Sequence, residues 1–523
     1  MTIEQMLAAQ RERVSFHMPG HKMRRGAETE FDTTELPNTD DLHDPGGPYL
    51  ALGKRLARAF GAGVSFPLVG GSTRGVQLMV LCALRPGQTL LLPRNAHLSA
   101  WSACALGGVE AVPIPLRYDE QNEIPYFEEA DVLACMAAHP EAGAILLTRP
   151  DYYGRLPDIG GIVRAAHARG MKVLVDEAHG AHLNWDAEAP TAGALGADVW
   201  VQSAHKTLPA LNGGAWLHAG PGVDAARLRA MLRAVQSSSP SFVTLLALDD
   251  ARAWMEQNGA EAVARLKAAA ARFHARAAAL GYADGQDEPG WAYDRTRVVL
   301  RAPQGGYALS EALAARGVDV EMSDADRVVC ILSLLDGLER LERLARVLRE
   351  VAADGRRKGP DGSCTGENGG GAGMPGAERA DGGGLGADRG TQGAEHGSAD
   401  GTGTGGGTGM PGAVHGTAAR ADGTGSDGLR AFAADGGPDR LPPPEPPERV
   451  VPLREAFFAP SEAVPLDRAA GRVSAAAAGP YPPGAALVTP GERVTEELAA
   501  YLAVLGPRRT FGLGPGGTLA CLR

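Results

Sequence analysis

Two apolar runs in this chain stop abruptly at ionisable side chains. KVLVDEAHGAHL (172–183) ends in Asp176 and Glu177, with His179 and His182 just beyond, and VQSAHKTLPAL (201–211) runs into Ser203, His205 and Lys206. A buried ammonium is costly unless something uses it, so the position of Lys206 calls for chemistry. Asp176 stands where a buried parallel strand ends, the edge at which open α/β sheets bind ligands. Taken alone, it reads more simply as an acidic turn residue opening the next helix. The spacing His179-x-x-His182 beside two carboxylates also has the residue types of a zinc site. No third ligand cluster matches it, and the other close pair, His17 and His21 in HMPGH, is separated by Pro-Gly, which breaks the helix that an i,i+4 pair needs.

A third stretch, LVGGSTRGVQ (68–77), passes from strand through small residues and hydroxyls into helix. Free backbone N–H groups at a helix start make a phosphate cradle, to which Ser72 and Thr73 add hydroxyl donors. An ordinary Ser/Thr helix cap explains the stretch equally well. It is no Walker sequence, since the GK[ST] ending is missing, and the formal G-x-G-x-x-G at Gly512, Gly514 and Gly517 has no helix after it. Together, an amine past one strand, an acid at the end of the strand before it and a hydroxyl-lined helix start match the needs of pyridoxal 5'-phosphate. That cofactor takes an amine on its aldehyde, an acid to keep its ring nitrogen protonated and a cradle for its phosphate. Ser203 and His205 flank Lys206 and can donate to the phosphate. His97, in PRNAHLS (93–99), follows another strand and is the candidate for the ring face.

The elements that must place these residues are legible as short apolar runs without polar alternation: 64–69, 89–93, 109–114, 143–148, 172–176, 198–202 and 214–218. Such runs suit strands buried on both faces. Between them lie stretches of helical length and spacing, such as STRGVQLMVLCAL (72–84) and DIGGIVRAAHARG (158–170). The pattern predicts a wound, mainly parallel seven-stranded α/β sheet. Residues 223–282, rich in Ala, Leu and Arg, predict two or more long helices. The expected organisation is an N-terminal segment (1–60) contributing to the active site and dimer, a large cofactor-binding domain (61–285), a small α+β domain (286–353), a Gly-rich insert (354–445) and a C-terminal α+β domain (446–523). In the insert, glycine dominates and GMPGA occurs twice (373–377 and 409–413), ahead of the stiff PPPEPPER (442–449). So few apolar side chains cannot offset an ordering cost of about 1–2 kcal/mol per residue, which predicts disorder there.

The 523 residues exceed what one core holds. A net charge of −11 argues against a general nucleic-acid binder. Cys82, Cys104, Cys135, Cys330, Cys364 and Cys521 are scattered without a C-x-x-C pair, which points to a reducing cytoplasm. The N-terminus has charges throughout, and no window approaches a membrane span.

The motifs FHMPGHK (16–22), DDLHDP (40–45), PRNAHLS (93–99), PDYYG (150–154), VDEAHGAH (175–182), SAHKTL (203–208) and GPYPPGAALVTPGE (479–492) resemble those of the Orn/Lys/Arg decarboxylases, fold type I pyridoxal-phosphate enzymes, in their short bacterial form. The resemblance spans nearly the whole chain outside the insert. It implies that Lys206 bonds the cofactor and Asp176 contacts its ring nitrogen. It further implies that Ser72, Thr73, Ser203 and His205 hold the phosphate, His97 stacks on the ring and His179 lies near the ring hydroxyl. The implied activity is decarboxylation of lysine, arginine or ornithine to a di- or polyamine, in a cytoplasmic homodimer or higher homo-oligomer. Because the signature begins at residue 16, the extra N-terminal domain of the large enterobacterial members is not expected. Leu98 replaces a usual Lys, Asp151 a usual Thr, LNGG (211–214) a usual Leu-Thr-Gln stretch and Ala476 a frequent acid. These departures spare the cofactor set and bear on the substrate. An aminotransferase or lyase on the same scaffold is the alternative reading; a non-catalytic regulator would have no need of Lys206.

The entropy of closing a loop grows only logarithmically with its length. Replacing residues 355–440 by a short flexible linker should therefore leave cofactor binding and turnover nearly unchanged; a folded deletion with a large loss of turnover would make the insert a functional segment.

Overall fold

The computed structural model describes residues 2–11, 30–118, 124–287, 290–336, 338–357, 443–481 and 484–523. The HMPGH motif and nearly all of the Gly-rich insert lie outside the described residues. The seven apolar runs form seven strands: β1 (Val64–Leu68), β2 (Thr89–Pro93), β3 (Glu110–Ile114), β4 (Ala144–Thr148), β5 (Lys172–Asp176), β6 (Val199–Gln202) and β7 (Ala215–Ala219). They make one sheet in the order β1-β7-β6-β5-β4-β2-β3. Only β7 runs against the rest, pairing antiparallel with both β1 and β6.

The apolar runs lack alternation because both faces of the sheet are covered. Successive side chains point to opposite faces: on β4, Ile145 and Leu147 join one core while Ala144 and Leu146 join the other. The second core takes Val76, Met79 and Val80 from the helix α1 (Gly71–Ala83). A Cβ at Gly75 would sit 2.3 Å from Val201 Cγ2, so only glycine lets α1 lie directly on β6. Further along the chain, α2 (Leu98–Gly107), α3 (Ala204–Thr207) and α4 (Phe242–Ala278) are the other helices that matter for the site. α4 packs Phe242, Leu245 and Leu248 into the first core, and Ser241 caps it by accepting from Thr244 N. With the helix Ala225–Val235, it accounts for the helices expected over 223–282.

A second sheet is antiparallel: β8 (Ala283–Asp284), β9 (Arg297–Arg301), β10 (Met322–Ser323) and β11 (Arg327–Ile331), in the order β8-β9-β11-β10. The C-terminal segment has its own core, in which Val464, Leu498, Leu502 and Leu519 meet. Of the glycines of the formal G-x-G-x-x-G, Gly512 lies in a bend, Gly514 ends the strand Leu513–Gly514 and Gly517 lies in the turn leading into Thr518–Leu522. Among the described residues, no helix is long and apolar enough to cross a membrane.

A buried charge pair docks the C-terminal segment on the loop after β2. Arg94 Nη2 lies 2.7 Å from Glu492 Oε1 and Nη1 lies 3.1 Å from Oε2, a fork with both side chains almost fully buried. Ala486 N donates to Arg94 O at 3.1 Å, and Arg449 reaches Glu492 at 3.4 Å. Removing one partner of such a pair leaves an uncompensated buried charge, at a cost of about 3–5 kcal/mol. Glu492→Ala, which strands both Arg94 and Arg449, should lose stability on that scale in urea unfolding, whereas Arg94→Met, which leaves Glu492 paired with Arg449, should lose less; equal losses would show that Glu492 is not what holds the segment.

Candidate cofactor-binding and catalytic site

β1, β2, β4, β5 and β6 all point the same way, so their carboxyl ends and the residues beyond them meet at one edge of the sheet. The chain crosses from β3 on one side of β2 to β4 on the other, the change of direction at which open sheets form a crevice. A cavity of about 330 Å³ lies there. Ser72 and Thr73 line it from the first turn of α1, His97 from the loop after β2, Asp176 from the end of β5, His179 from the turn beyond, and His205 and Lys206 from α3. Ser203 stands behind this lining, fully buried, and donates from Oγ to Ser72 Oγ at 2.7 Å. All eight residues singled out in the sequence thus converge on one place. No described residue before Val64 lines the cavity.

Lys206 Nζ lies 3.0 Å from His179 Nε2. Burial pushes the Lys206 ammonium below its ordinary range, opposed by the Asp176 carboxylate. Burial and then the Lys206 charge hold the His179 imidazole well below its usual value, so the ring is neutral and can accept from the lysine. Its other nitrogen, Nδ1, is buried without a hydrogen-bond partner. Asp176, 5% exposed, accepts from Ala178 N at 3.1 Å through Oδ1.

Local hydrogen bonds set the other two imidazoles. His97 caps α2: its Nδ1 accepts from Ser99 N at 3.2 Å and lies 2.8 Å from Ser99 Oγ. His205 Nδ1 donates to Gly214 O at 2.9 Å, and burial lowers its pKa, so the neutral ring has its Nε2 as an acceptor.

The adjacent acids of Asp176-Glu177 part company. Glu177 turns away from the cavity into full burial, accepting from Gln202 Nε2 at 2.7 Å and Ala192 N at 2.8 Å, with Arg149 at 3.5 Å. Burial pushes its carboxyl up to about 7. His182 likewise leaves the site and meets Asp294 at 3.1 Å. The four groups with zinc-like spacing therefore serve separate partners.

The cavity also takes Asn95, Thr148, Tyr152, Tyr481 and Phe511, none of which was singled out as a site residue. Thr148 ends β4 directly opposite Asp176 in the parallel register, with Oγ1 buried and unpartnered. The Tyr152 ring stands 4.7 Å from that of His179. Tyr152 and Tyr481 fall inside PDYYG and GPYPPG, so motif reading held a signal for them. Phe511 had none. A depressed amine, a buried carboxylate on the neighbouring strand end, two orphaned polar atoms (His179 Nδ1 and Thr148 Oγ1) and hydroxyls at a helix start fit pyridoxal phosphate.

Comparison with known proteins agrees. Residues 5–280 match the Orn/Lys/Arg decarboxylase major domain and residues 453–511 its C-terminal domain. An arginine decarboxylase of Bacillus subtilis is 27% identical over 94% of this chain and 91% of its own length. The uncharacterized protein YaaO of the same organism is 33% identical over 68% of this chain and 77% of its own. Lysine decarboxylase A from Pseudomonas aeruginosa superposes with a TM-score of 0.75 at 19% identity, covering 100% of this chain and 80% of that one, which bears on the fold. With the major-domain match spanning more than half of its length, the chain belongs to the Orn/Lys/Arg decarboxylase family and is an amino-acid decarboxylase of this pyridoxal-phosphate-dependent kind.

Proposed function

We propose that the protein removes CO₂ from a basic amino acid to leave the corresponding amine, with arginine the first substrate to test. The observation that carries this reading is the depressed Lys206 amine in one cavity with Asp176, in a chain of this family. Arginine comes first because the arginine decarboxylases of Bacillus subtilis, Halalkalibacterium halodurans and Bacillus anthracis each match over 94% of the chain.

Pyridoxal phosphate, bound at Lys206, supplies an electron sink for the charge left at the α carbon when CO₂ departs. Asp176 would keep a proton on the ring nitrogen. Burial lowers the Lys206 pKa, which favours the free amine that the cofactor's aldehyde would take and lets the ammonium hand a proton to a neighbour. His179, neutral and in contact with that amine, can receive or return the proton at Nε2. Ser72, Thr73 and the α1 amides would hold the phosphate, with Ser203, set behind the lining, acting through its hydrogen bond to Ser72 Oγ. His205 can donate there only by taking a second proton, which the phosphate charge would favour. His97 would lie against the ring, and Tyr481 and Phe511 add aromatic surface to the lining.

Leu98 and Tyr481 at the cavity and Leu211 beyond Lys206 are exposed large apolar side chains, of the kind a second copy covers. We read the working form as a homodimer or larger homo-oligomer. Five described cysteines are unpaired, in keeping with a reducing compartment.

Incubation of the reconstituted protein with arginine, lysine and ornithine, read by mass, should give an amine one CO₂ lighter than one of them; a keto acid instead would overturn the assignment. The reconstituted wild type should be yellow, and Lys206→Ala should lose the absorbance of covalently held cofactor. Asp176→Asn keeps the shape but removes the charge. Losing a preorganised charge at a developing carbanion costs at least about 3 kcal/mol, a hundredfold or more in rate. Turnover within a few-fold of wild type in cofactor-loaded Asp176→Asn would mean that the ring nitrogen has another partner.

A further inference from the structure

Beneath the cavity, a cluster of buried charges has no role in the chemistry described so far. Arg297, 1% exposed at the start of β9, donates from Nη1 to Tyr152 O at 2.9 Å and approaches Asp294 Oδ2 with Nε at 3.4 Å. Its Nη2 is buried without a partner. Asp294 Oδ1 accepts from Thr296 Oγ1 at 2.6 Å and lies 3.1 Å from His182 Nε2. Burial works against its charge, yet His182, Arg297 and Thr296 together hold the Asp294 carboxyl well below the usual range.

Around this centre the segment 151–156 is fastened to residues 286–297. Asp294 N donates to Gly154 O at 2.7 Å, Leu156 N to Ala292 O at 2.8 Å and Gln286 Nε2 to Tyr153 O at 2.8 Å. A Cβ at Gly154 would come within 2.6 Å of Gln286 Nε2 and 3.0 Å of Arg297 Cδ, so the two segments meet without room for a side chain.

Both arms of the cluster lead to the site. One holds the backbone of Tyr152, whose ring rests on His179. The other holds His182, three residues past His179 on the same loop. His179 in turn contacts Lys206. Buried ion pairs are often no more stabilising than apolar residues of equal volume, so fixing one arrangement is the better account of such a cluster. We propose that Arg297 and Asp294 are positioning residues for decarboxylation, setting Tyr152 and His182 and thereby the contact of His179 with Lys206. The inference rests on the reading of Lys206 as the cofactor lysine.

The field of Arg297 also reaches the amine. The charged and titratable groups facing Lys206 are Asp176 and Glu321, which favour its proton, Arg297, which disfavours it, and the imidazoles of His97, His179 and His205. The test uses the cofactor-free protein, with the pH dependence of reductive methylation at Lys206 read by peptide mass, beside turnover of the loaded enzyme. In Arg297→Met the midpoint for Lys206 should move to higher pH. Arg297→Lys keeps the charge but has no fork to span Asp294 and the Tyr152 carbonyl. It should leave the midpoint near wild type while kcat falls about tenfold or more, with KM within about threefold. If Arg297→Met does not fold, Arg297→Gln, which keeps a donor for the Tyr152 carbonyl without the positive charge, is read in the same way. Lowered melting temperatures with an unmoved midpoint and unchanged kcat would reduce the cluster to packing and overturn the proposal. A wild type that makes no amine product would sink the decarboxylase reading, and the Lys206 midpoint would then judge the cluster on its own.

Discussion

Burial of the Lys206 amine is the constraint around which the other groups of the cavity are arranged. An exposed lysine stays protonated and is a poor nucleophile at neutral pH. Burial shifts the equilibrium toward the free amine, while Asp176 at the neighbouring strand end keeps the shift from running unopposed. That balance needs the end of β5 and the turn after β6 side by side, which parallel pairing of Val175 with Trp200 and Asp176 with Val201 provides.

A sheet covered on both faces is a rigid support for such an arrangement. Its strands alternate residues between two cores, so no strand can slip by one position without sending large apolar side chains to the wrong face. The direct contact of α1 with β6 at Gly75 puts the start of that helix close to the turn carrying Ser203 and Lys206. The Ser203–Ser72 hydrogen bond is the visible result. Residues held on strand ends and helix starts keep their geometry better than residues on long loops.

Buried charges do the remaining fastening. Arg94 with Glu492 joins the loop bearing His97 to the C-terminal segment bearing Tyr481 and Phe511. Arg149 with Glu177 secures the backbone just beyond Asp176. Arg297, Asp294 and His182 join the second sheet to the loops of Tyr152 and His179. Each such pair is costly to break from one side, so the three surroundings of the cavity are held to particular partners and not merely packed together.

The sequence by itself determined the seven strands, the mainly parallel sheet and the eight residues that surround or back the cavity. Those signals are local: an apolar run of strand length, an ionisable group at its end and hydroxyls at a helix start can each be read in a window of about ten residues. Only the tertiary structure decided which of the ionisable groups meet. Asp176 and Glu177 are neighbours in the chain, yet one faces the cavity and the other a buried arginine, because successive side chains of an extended segment point apart. His179 and His182 look like one ligand pair, but the first reaches Lys206 and the second an aspartate 112 residues further on. Thr148 belongs to the site only because β4 lies beside β5, and Phe511 only because the C-terminal segment docks through Glu492. Contacts between residues so far apart in the chain depend on strand order and on how separate cores fit together, and no local pattern of residues carries that information.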